Sequence, residues 1–107
     1  MGEITVQELY QRFKKGKEDF LLLDVREPFE YRLNNINGKL IPLGQLPNRL
    51  MEIEEFRDRE IITMCRSGAR SAEACQYLEQ QGFKKTLNLK GGINEWARRI
   101  DSSRPVY

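Results

Sequence analysis

The sequence predicts a doubly wound α/β domain, in which a parallel sheet of about five strands is covered by helices on both faces. Short apolar runs, each the length of a buried strand, alternate along the 107 residues with segments whose apolar residues recur at helical spacing. The connections are short, and strands that alternate with helices over short connections favour a parallel sheet. We therefore expect one domain that spans residues 1–107.

The first two elements are a helix and a central strand. Thr5 and Glu8 have capping-box spacing, and the apolar residues that follow recur at helical spacing until Gly16. The lysines around the end of this helix are expected to be solvated cations; they are Lys14, Lys15 and Lys17. FLLLDV, residues 20–25, is an apolar run closed by charged residues, as expected of a strand buried on both faces.

A short helix, a short strand and a second short helix are predicted next. The stretch REPFEY can form a helix that begins near Pro28. KLIPL, residues 39–43, is typical of a short strand. Apolar residues then recur at helical spacing over residues 46–56, and Pro47 suits an early helical position.

Two further strands and two helices complete the predicted fold. IITM, residues 61–64, has the pattern of a buried strand, and the spacing predicts a helix over 71–81 that Gly82 stops. TLNL, residues 86–89, is the final strand. KGG then turns into a helix whose apolar face carries Trp96, which we expect in the core.

Composition and charge limit the classes of partner. Eighteen basic and sixteen acidic residues leave a net charge of +2, too small and too dispersed to predict a nucleic-acid or membrane surface. No apolar run approaches the roughly 20 residues of a membrane span, and MGEITVQEL lacks the features of a signal peptide. A cytoplasmic location is the resulting expectation.

The loop CRSGARS, residues 65–71, joins a strand to a helix and holds the main candidate nucleophile. Binding sites in such sheets lie beyond the carboxyl ends of the strands, where DVRE, residues 24–27, also emerges. The unpaired N–H groups of a helix amino terminus can curl around an anion. Together with the guanidinium groups of Arg66 and Arg70, they predict a Cys65 thiol with a lowered pKa.

The other cysteine and the glycine pair have plainer interpretations. Cys75 shares the inward face of its helix with Leu78, so we expect a packed, unreactive thiol, with a resolving cysteine as the alternative. Two cysteines without a histidine cannot form the usual four-ligand zinc site. Gly91 and Gly92 lack a nucleotide-binding fingerprint and are expected to permit a tight turn. We expect no metal and no cofactor.

These motifs resemble those of the rhodanese-type sulfurtransferases. CRSGARS is similar to the active-site pattern Cys-Arg-x-Gly-x-Arg-Ser or Thr, and LLLDVREPFEY, LIPL and LNLKGGINEW resemble the flanking segments of the family in the same order. The resemblance covers nearly the whole chain and implies a rhodanese-like fold. Related Cys-dependent phosphatases place their arginine one residue further on, so the spacing from Cys65 to Arg70 argues against a phosphatase.

The resemblance also implies a reaction and a set of site residues. Cys65 would carry sulfane sulfur as a persulfide from thiosulfate or a protein persulfide to a nucleophilic acceptor such as cyanide or a thiol. Asp24 would anchor the loop, and Arg26 would line the entrance. The substrate-binding residues would be Arg66, Ser67, Gly68, Ala69, Arg70 and Ser71.

Two segments refine this resemblance. Many family members have Gly-His-Ile before Pro-Gly-Ala, whereas residues 34–40 read NNINGKL and lack a histidine. A cysteine that its loop already ionises needs no general base to attack. The tail EWARRIDSSRPVY is similar to rhodanese-like domains fused to adenylyltransferases that activate ubiquitin-like sulfur carriers, which makes such a carrier a candidate partner.

Two other functions are alternatives. A non-catalytic regulatory or binding module could keep the fold, although the intact cysteine loop argues against it. A small thiol redox enzyme could form a sulfenate on Cys65 or a disulfide with Cys75. The missing Cys-x-x-Cys motif weakens that interpretation.

Overall fold

The computed structural model of the protein describes residues 1–16 and 19–107, so the expectation for Lys17 lies outside the described residues. Five strands form one parallel sheet in the order β1-β5-β4-β2-β3: β1 (Gly2–Ile4), β2 (Leu21–Asp24), β3 (Lys39–Leu40), β4 (Glu60–Met64) and β5 (Lys85–Leu89). The helical elements are α1 (Val6–Lys14), α2 (Pro28–Leu33), a 3₁₀ segment (Leu43–Phe56), α3 (Ala69–Gln80) and α4 (Gly92–Arg99). The predicted α/β architecture is confirmed.

The two faces of the sheet bury two separate apolar clusters. Leu22 and Ile62 lie in the cluster covered by α1 and α4, whereas Leu23 and Ile61 lie in the cluster covered by the 3₁₀ segment and α3. Neighbouring strand residues alternate between the faces because successive side chains of a strand point in opposite directions. Trp96 packs in the first cluster, as predicted. Helices therefore cover both faces of the sheet.

The register of the central strands brings the two motif-bearing loops together. Asp24 at the end of β2 pairs with Met64 at the end of β4, and the Val25 N–H donates to the Met64 carbonyl at 3.0 Å. The residues that follow these two strands, Arg26 and Cys65, consequently begin at the same edge of the sheet. This is the edge at which open α/β sheets bind ligands.

The amino-terminal helix begins as predicted, but a strand precedes it. The Glu8 N–H donates to the Thr5 hydroxyl at 3.1 Å, and the Glu8 carboxylate accepts from the Thr5 N–H at 2.9 Å, which completes the capping box. Strand β1 pairs with β5, with Gly2 opposite Leu87. Its three residues are too few to show a period-two pattern, so the sequence did not predict it.

The predicted short helix over residues 46–56 is a series of 3₁₀ turns instead. The backbone leaves helical geometry at Arg49 (φ −124°) and at Ile53 (φ −122°). Leu46 and Ile53 are nevertheless fully buried. The apolar spacing therefore predicted correctly which residues face the core, but it did not predict the type of helix. Helix α3 begins at Ala69, two residues before the predicted start.

No helix among residues 1–16 and 19–107 is both long and apolar enough to cross a membrane.

Candidate active site

The Cys65 thiol lies at the centre of the loop that joins β4 to α3. The Gly68 N–H donates to Sγ at 3.1 Å, and the Ser71 hydroxyl oxygen is 3.3 Å from Sγ. Gly68 has a φ of +119° and precedes the first residue of α3, a conformation that glycine adopts without strain. This turn directs the backbone donors of the helix amino terminus toward the sulfur.

These donors favour the thiolate. Burial raises the pKa of Cys65, but hydrogen bonds from the Ser71 hydroxyl and from the N–H groups of Ser71, Gly68 and Ser67 lower it by more, so the pKa lies below its ordinary value. The lowering predicted from the sequence therefore arises mainly from hydrogen bonds and not from the loop arginines.

Cys75 has the opposite environment. The residue is fully buried, and its sulfur is 3.0 Å from the Thr63 hydroxyl oxygen. Burial raises the pKa of Cys75 above its ordinary value. Both cysteines are free thiols, and this geometry agrees with the packed, unreactive role predicted for Cys75.

Ser71 contacts the thiol from inside the domain. The residue is fully buried, and its hydroxyl is 2.5 Å from Asn88 Oδ1, while Asn88 Nδ2 donates to the Gly68 carbonyl at 3.1 Å. A hydroxyl has one proton, so Ser71 can donate to only one of three acceptors at a time, which are Asn88 Oδ1, the Gly68 carbonyl at 3.2 Å and the sulfur. Ser71 is therefore buried against the nucleophile, and its predicted contact with substrate stays a prediction.

Arg70 is engaged by a carboxylate from another element. Its two terminal nitrogens donate to the Glu30 oxygens at 2.7 and 2.9 Å, which is the bidentate geometry of a strong ion pair. Hydrogen bonding to Arg70 is the largest influence on Glu30 and helps to lower the pKa of this carboxyl to about 2. By contrast, three other residues of the loop are exposed on its outer side: Arg66, Ser67 and Ala69.

The predicted entrance position of Arg26 is wrong, whereas the anchoring role of Asp24 stays a prediction. Both residues are fully buried, so Arg26 does not line an entrance. Arg26 donates to the Asp24 carboxylate at 2.9 Å and to the carbonyls of Asn34 and Glu30 at 2.7 and 3.3 Å. These acceptors draw the guanidinium inward, because a buried charge requires partners. The Asp24 carboxylate accepts from the Arg26 N–H and from the Arg26 guanidinium.

The amino terminus of α4 holds the main chain of the cysteine loop. The Ile93 N–H donates to the Cys65 carbonyl at 3.0 Å, and the Asn94 N–H donates to the Arg66 carbonyl at 3.1 Å. Gly92, with a φ of +61°, lies so close that a Cβ atom there would be 2.4 Å from the Cys65 carbonyl oxygen. The close turn predicted for the glycine pair is therefore confirmed.

Replacing Gly92 with alanine is expected to lower the free energy of unfolding by about 2–4 kcal/mol, because it combines a left-handed backbone with a collision against main chain. Gly16→Ala is the matched control, since Gly16 has a similar φ of +67° and, its chain neighbours apart, no atom of the described residues lies within 4 Å of the place that a Cβ would occupy; it should cost only about 1–2 kcal/mol. Urea denaturation measures both variants. Equal losses would show that contact with the loop does not matter.

Four further residues contact the site without having been predicted to do so. Asn88 is a polar residue between two leucines of a predicted strand. A polar residue at such a position could have indicated a hydrogen bond to the site. Glu30, Asn94 and Tyr107 gave none, because their partners lie far away in sequence. Tyr107 contacts both Glu30 and Arg26 through its hydroxyl group. Among the described residues, no group of three His, Cys, Asp or Glu side chains could hold a metal ion.

Comparisons with known proteins agree with these observations. The family model described as Rhodanese-like domain matches residues 5–99. A protein from Allochromatium vinosum named "Sulfurtransferase" is 46% identical over 99 residues, covering 92% of this chain and 90% of that protein. "Probable adenylyltransferase/sulfurtransferase MoeZ" from Mycobacterium tuberculosis is 32% identical over 105 residues, covering 97% of this chain but 26% of that protein.

Solved structures share the fold. A crystal structure of a protein from Staphylococcus saprophyticus superimposes with a TM-score of 0.79 at 32% sequence identity. The alignment covers 94% of this chain and 97% of that chain. The similarity therefore extends over nearly the whole of both chains.

Proposed function

This chain belongs to the rhodanese-like domain family, and we propose that it is a sulfurtransferase that carries sulfane sulfur as a persulfide on Cys65. The observation that carries the proposal is the environment of the thiol. Sγ accepts a hydrogen bond from the Gly68 N–H and contacts the Ser71 hydroxyl, so an anionic sulfur is stabilised at that point. The sulfurtransferase name of a relative at 46% identity supports the same reaction class.

The reaction proceeds in two nucleophilic displacements at sulfur. The Cys65 thiolate attacks the outer sulfur of thiosulfate, the sulfur–sulfur bond of the donor breaks, and sulfite leaves with the electron pair. An acceptor such as cyanide then attacks the terminal sulfur of the persulfide, which forms thiocyanate and returns the thiolate. The lowered pKa of Cys65 favours the thiolate in the first step, so the attack on the donor has less need of a general base.

The loop stabilises the anion at each stage. A persulfide on Cys65 would carry its charge close to the N–H donors of the α3 amino terminus, one of which already donates to Sγ. Ser71 can turn its single proton from Asn88 toward the sulfur when the charge is there and back when it is absent. Hydrogen bonds of this kind are strongest to charged acceptors.

Donors and acceptors of two kinds fit this site. Small anions and thiols suit an exposed loop with a cationic residue beside the nucleophile. A protein persulfide or a ubiquitin-like sulfur carrier is the macromolecular option, favoured by the match to MoeZ, of which this chain spans about a quarter. For either kind, the sulfur atom is the cargo and the protein supplies the thiolate.

Incubation of the reduced protein with thiosulfate is expected to raise its intact mass by one sulfur atom, because the thiolate takes up the outer sulfur. Peptide mapping should place the added atom on Cys65, and cyanide or dithiothreitol should remove it. A protein that gains no sulfur from thiosulfate or from a protein persulfide would be a non-catalytic member of the family instead.

A further inference from the structure

Tyr107 is anchored at both its main chain and its side chain. Its hydroxyl donates to Glu30 Oε2 at 2.9 Å and accepts from Arg26 Nη1 at 3.0 Å. Its N–H donates to Asn94 Oδ1 at 3.2 Å, and Asn94 Nδ2 donates to its main-chain oxygen at 2.7 Å. Glu30, Arg26 and Asn94 are all buried. The ring is therefore held in one place, although the residue is 37% exposed.

This fixed ring carries the Arg66 side chain. The guanidinium carbon of Arg66 lies 5.6 Å from the centroid of the Tyr107 ring, within cation–π range. Arg66 is exposed, and a long exposed arginine samples many rotamers unless a neighbour restricts it. Within the part of the chain that the structure describes, no carboxylate oxygen lies within 4.0 Å of the Arg66 guanidinium nitrogens. The ring is thus the contact that restricts Arg66.

The two arginines of the loop are consequently in different states. Arg70 is tied by two hydrogen bonds to Glu30, and Tyr107 donates to the same carboxylate. The Glu30 carboxylate neutralises Arg70 and occupies two of its N–H donors, so Arg70 offers less to an incoming anion. Arg66, next to the nucleophile in the chain and held by an aromatic face, keeps its hydrogen-bond donors available.

We propose that Tyr107 is a positioning residue, which holds Arg66 beside the thiol so that this arginine receives the anionic leaving group of the sulfur donor. The donor class is a thiosulfate-like anion, in which a transferable sulfur is bonded to a negatively charged oxyanion group. This inference rests on the proposed sulfurtransferase function for its biological meaning, but the contact between Arg66 and the Tyr107 ring does not depend on turnover.

Two alkylating agents of similar size test the placement without any sulfur transfer. The rate constants for Cys65 with anionic iodoacetate and neutral iodoacetamide are measured in a Cys75→Ser background. The rate constant for iodoacetate divided by that for iodoacetamide is the ratio of interest, because a nearby cation raises it. Tyr107→Leu is expected to lower the ratio about two- to fivefold, the range of an exposed cation–π contact. Tyr107→Phe keeps the ring and the main-chain hydrogen bonds with Asn94 that hold the residue, so it should leave the ratio within about 1.5-fold.

A double-mutant cycle with Arg66→Ala identifies the cation. Arg66→Ala should lower the ratio at least as much as Tyr107→Leu. The double variant should have the same ratio as Arg66→Ala alone. Tyr10→Leu is the matched control, because Tyr10 is 39% exposed and carries Lys14 at 5.4 Å from its ring centroid but lies on α1. This control should leave the ratio unchanged. A further fall in the double variant, or an unchanged ratio in Tyr107→Leu, would overturn the proposal.

Thiosulfate kinetics separate this inference from the proposed function. If the wild type transfers sulfur, Tyr107→Leu should raise the KM for thiosulfate about two- to fivefold with little change in kcat, and Tyr107→Phe should restore the KM. If the wild type transfers none while the alkylation ratio still falls in Tyr107→Leu, the proposed function fails and the positioning role stands.

Discussion

Replacing Cys65 with serine is expected to abolish sulfur transfer, with a loss on the order of a thousandfold or more, as when other catalytic nucleophiles are removed. A serine hydroxyl keeps the shape of the side chain but is not ionised near neutral pH and cannot form a persulfide. The measurement is the rate of thiocyanate formation from thiosulfate and cyanide. Thermal unfolding of the same sample confirms that the variant is folded.

Cys75→Ser is the matched variant at the other thiol. The buried sulfur of Cys75 lies 3.0 Å from the Thr63 hydroxyl, and a serine can make the same hydrogen bond, so transfer should stay within about twofold of the wild type. Wild-type rates in Cys65→Ser would refute the persulfide mechanism. A Cys65–Cys75 crosslink in oxidised protein, together with no persulfide from any donor, would support a thiol redox enzyme instead.

The family and the fold could be predicted because their signals are local. Apolar runs and helical spacing identified β2, β4, β5 and α3 within a few residues. The cysteine loop was recognisable from seven consecutive residues, and the comparisons confirm the family that it indicated. The 3₁₀ segment differed from its prediction because burial spacing does not distinguish 3₁₀ turns from an α-helix over so few residues.

The hydrogen bonds and ion pairs of the site could not be predicted, because the residues that form them are distant from one another in sequence. Glu30 and Arg70 are separated by 40 positions, and Tyr107 lies 77 and 81 positions from its partners Glu30 and Arg26. Nothing in DVRE distinguishes an arginine that lines an entrance from one that turns inward. That choice depends on the carbonyls supplied by α2 and the segment after it, which come into place only in the folded chain.

This inward arginine is the basis of the largest stability effect that we expect. Replacing Arg26 with methionine should lower the free energy of unfolding by about 3–5 kcal/mol, because it leaves the Asp24 carboxylate buried without its ion pair. The carbonyls of Glu30 and Asn34 and the Tyr107 hydroxyl would lose a donor as well. Methionine keeps most of the side-chain volume, so the loss reports charge and hydrogen bonding more than a cavity.

Two further variants separate this explanation from a general effect of losing a cation. Lys84→Met removes a partner from the Lys84–Asp58 ion pair, whose side chains are 72% and 73% exposed, and should change stability by no more than about 1 kcal/mol. Asp24→Asn combined with Arg26→Met removes the unpaired charge and should recover part of the loss. Urea denaturation of these three variants, and of Asp24→Asn alone, gives the free energies. If the double variant were as unstable as the sum of its single changes, the buried carboxylate would not be the cause. Packing around the guanidinium would then account for the stability of this edge of the sheet.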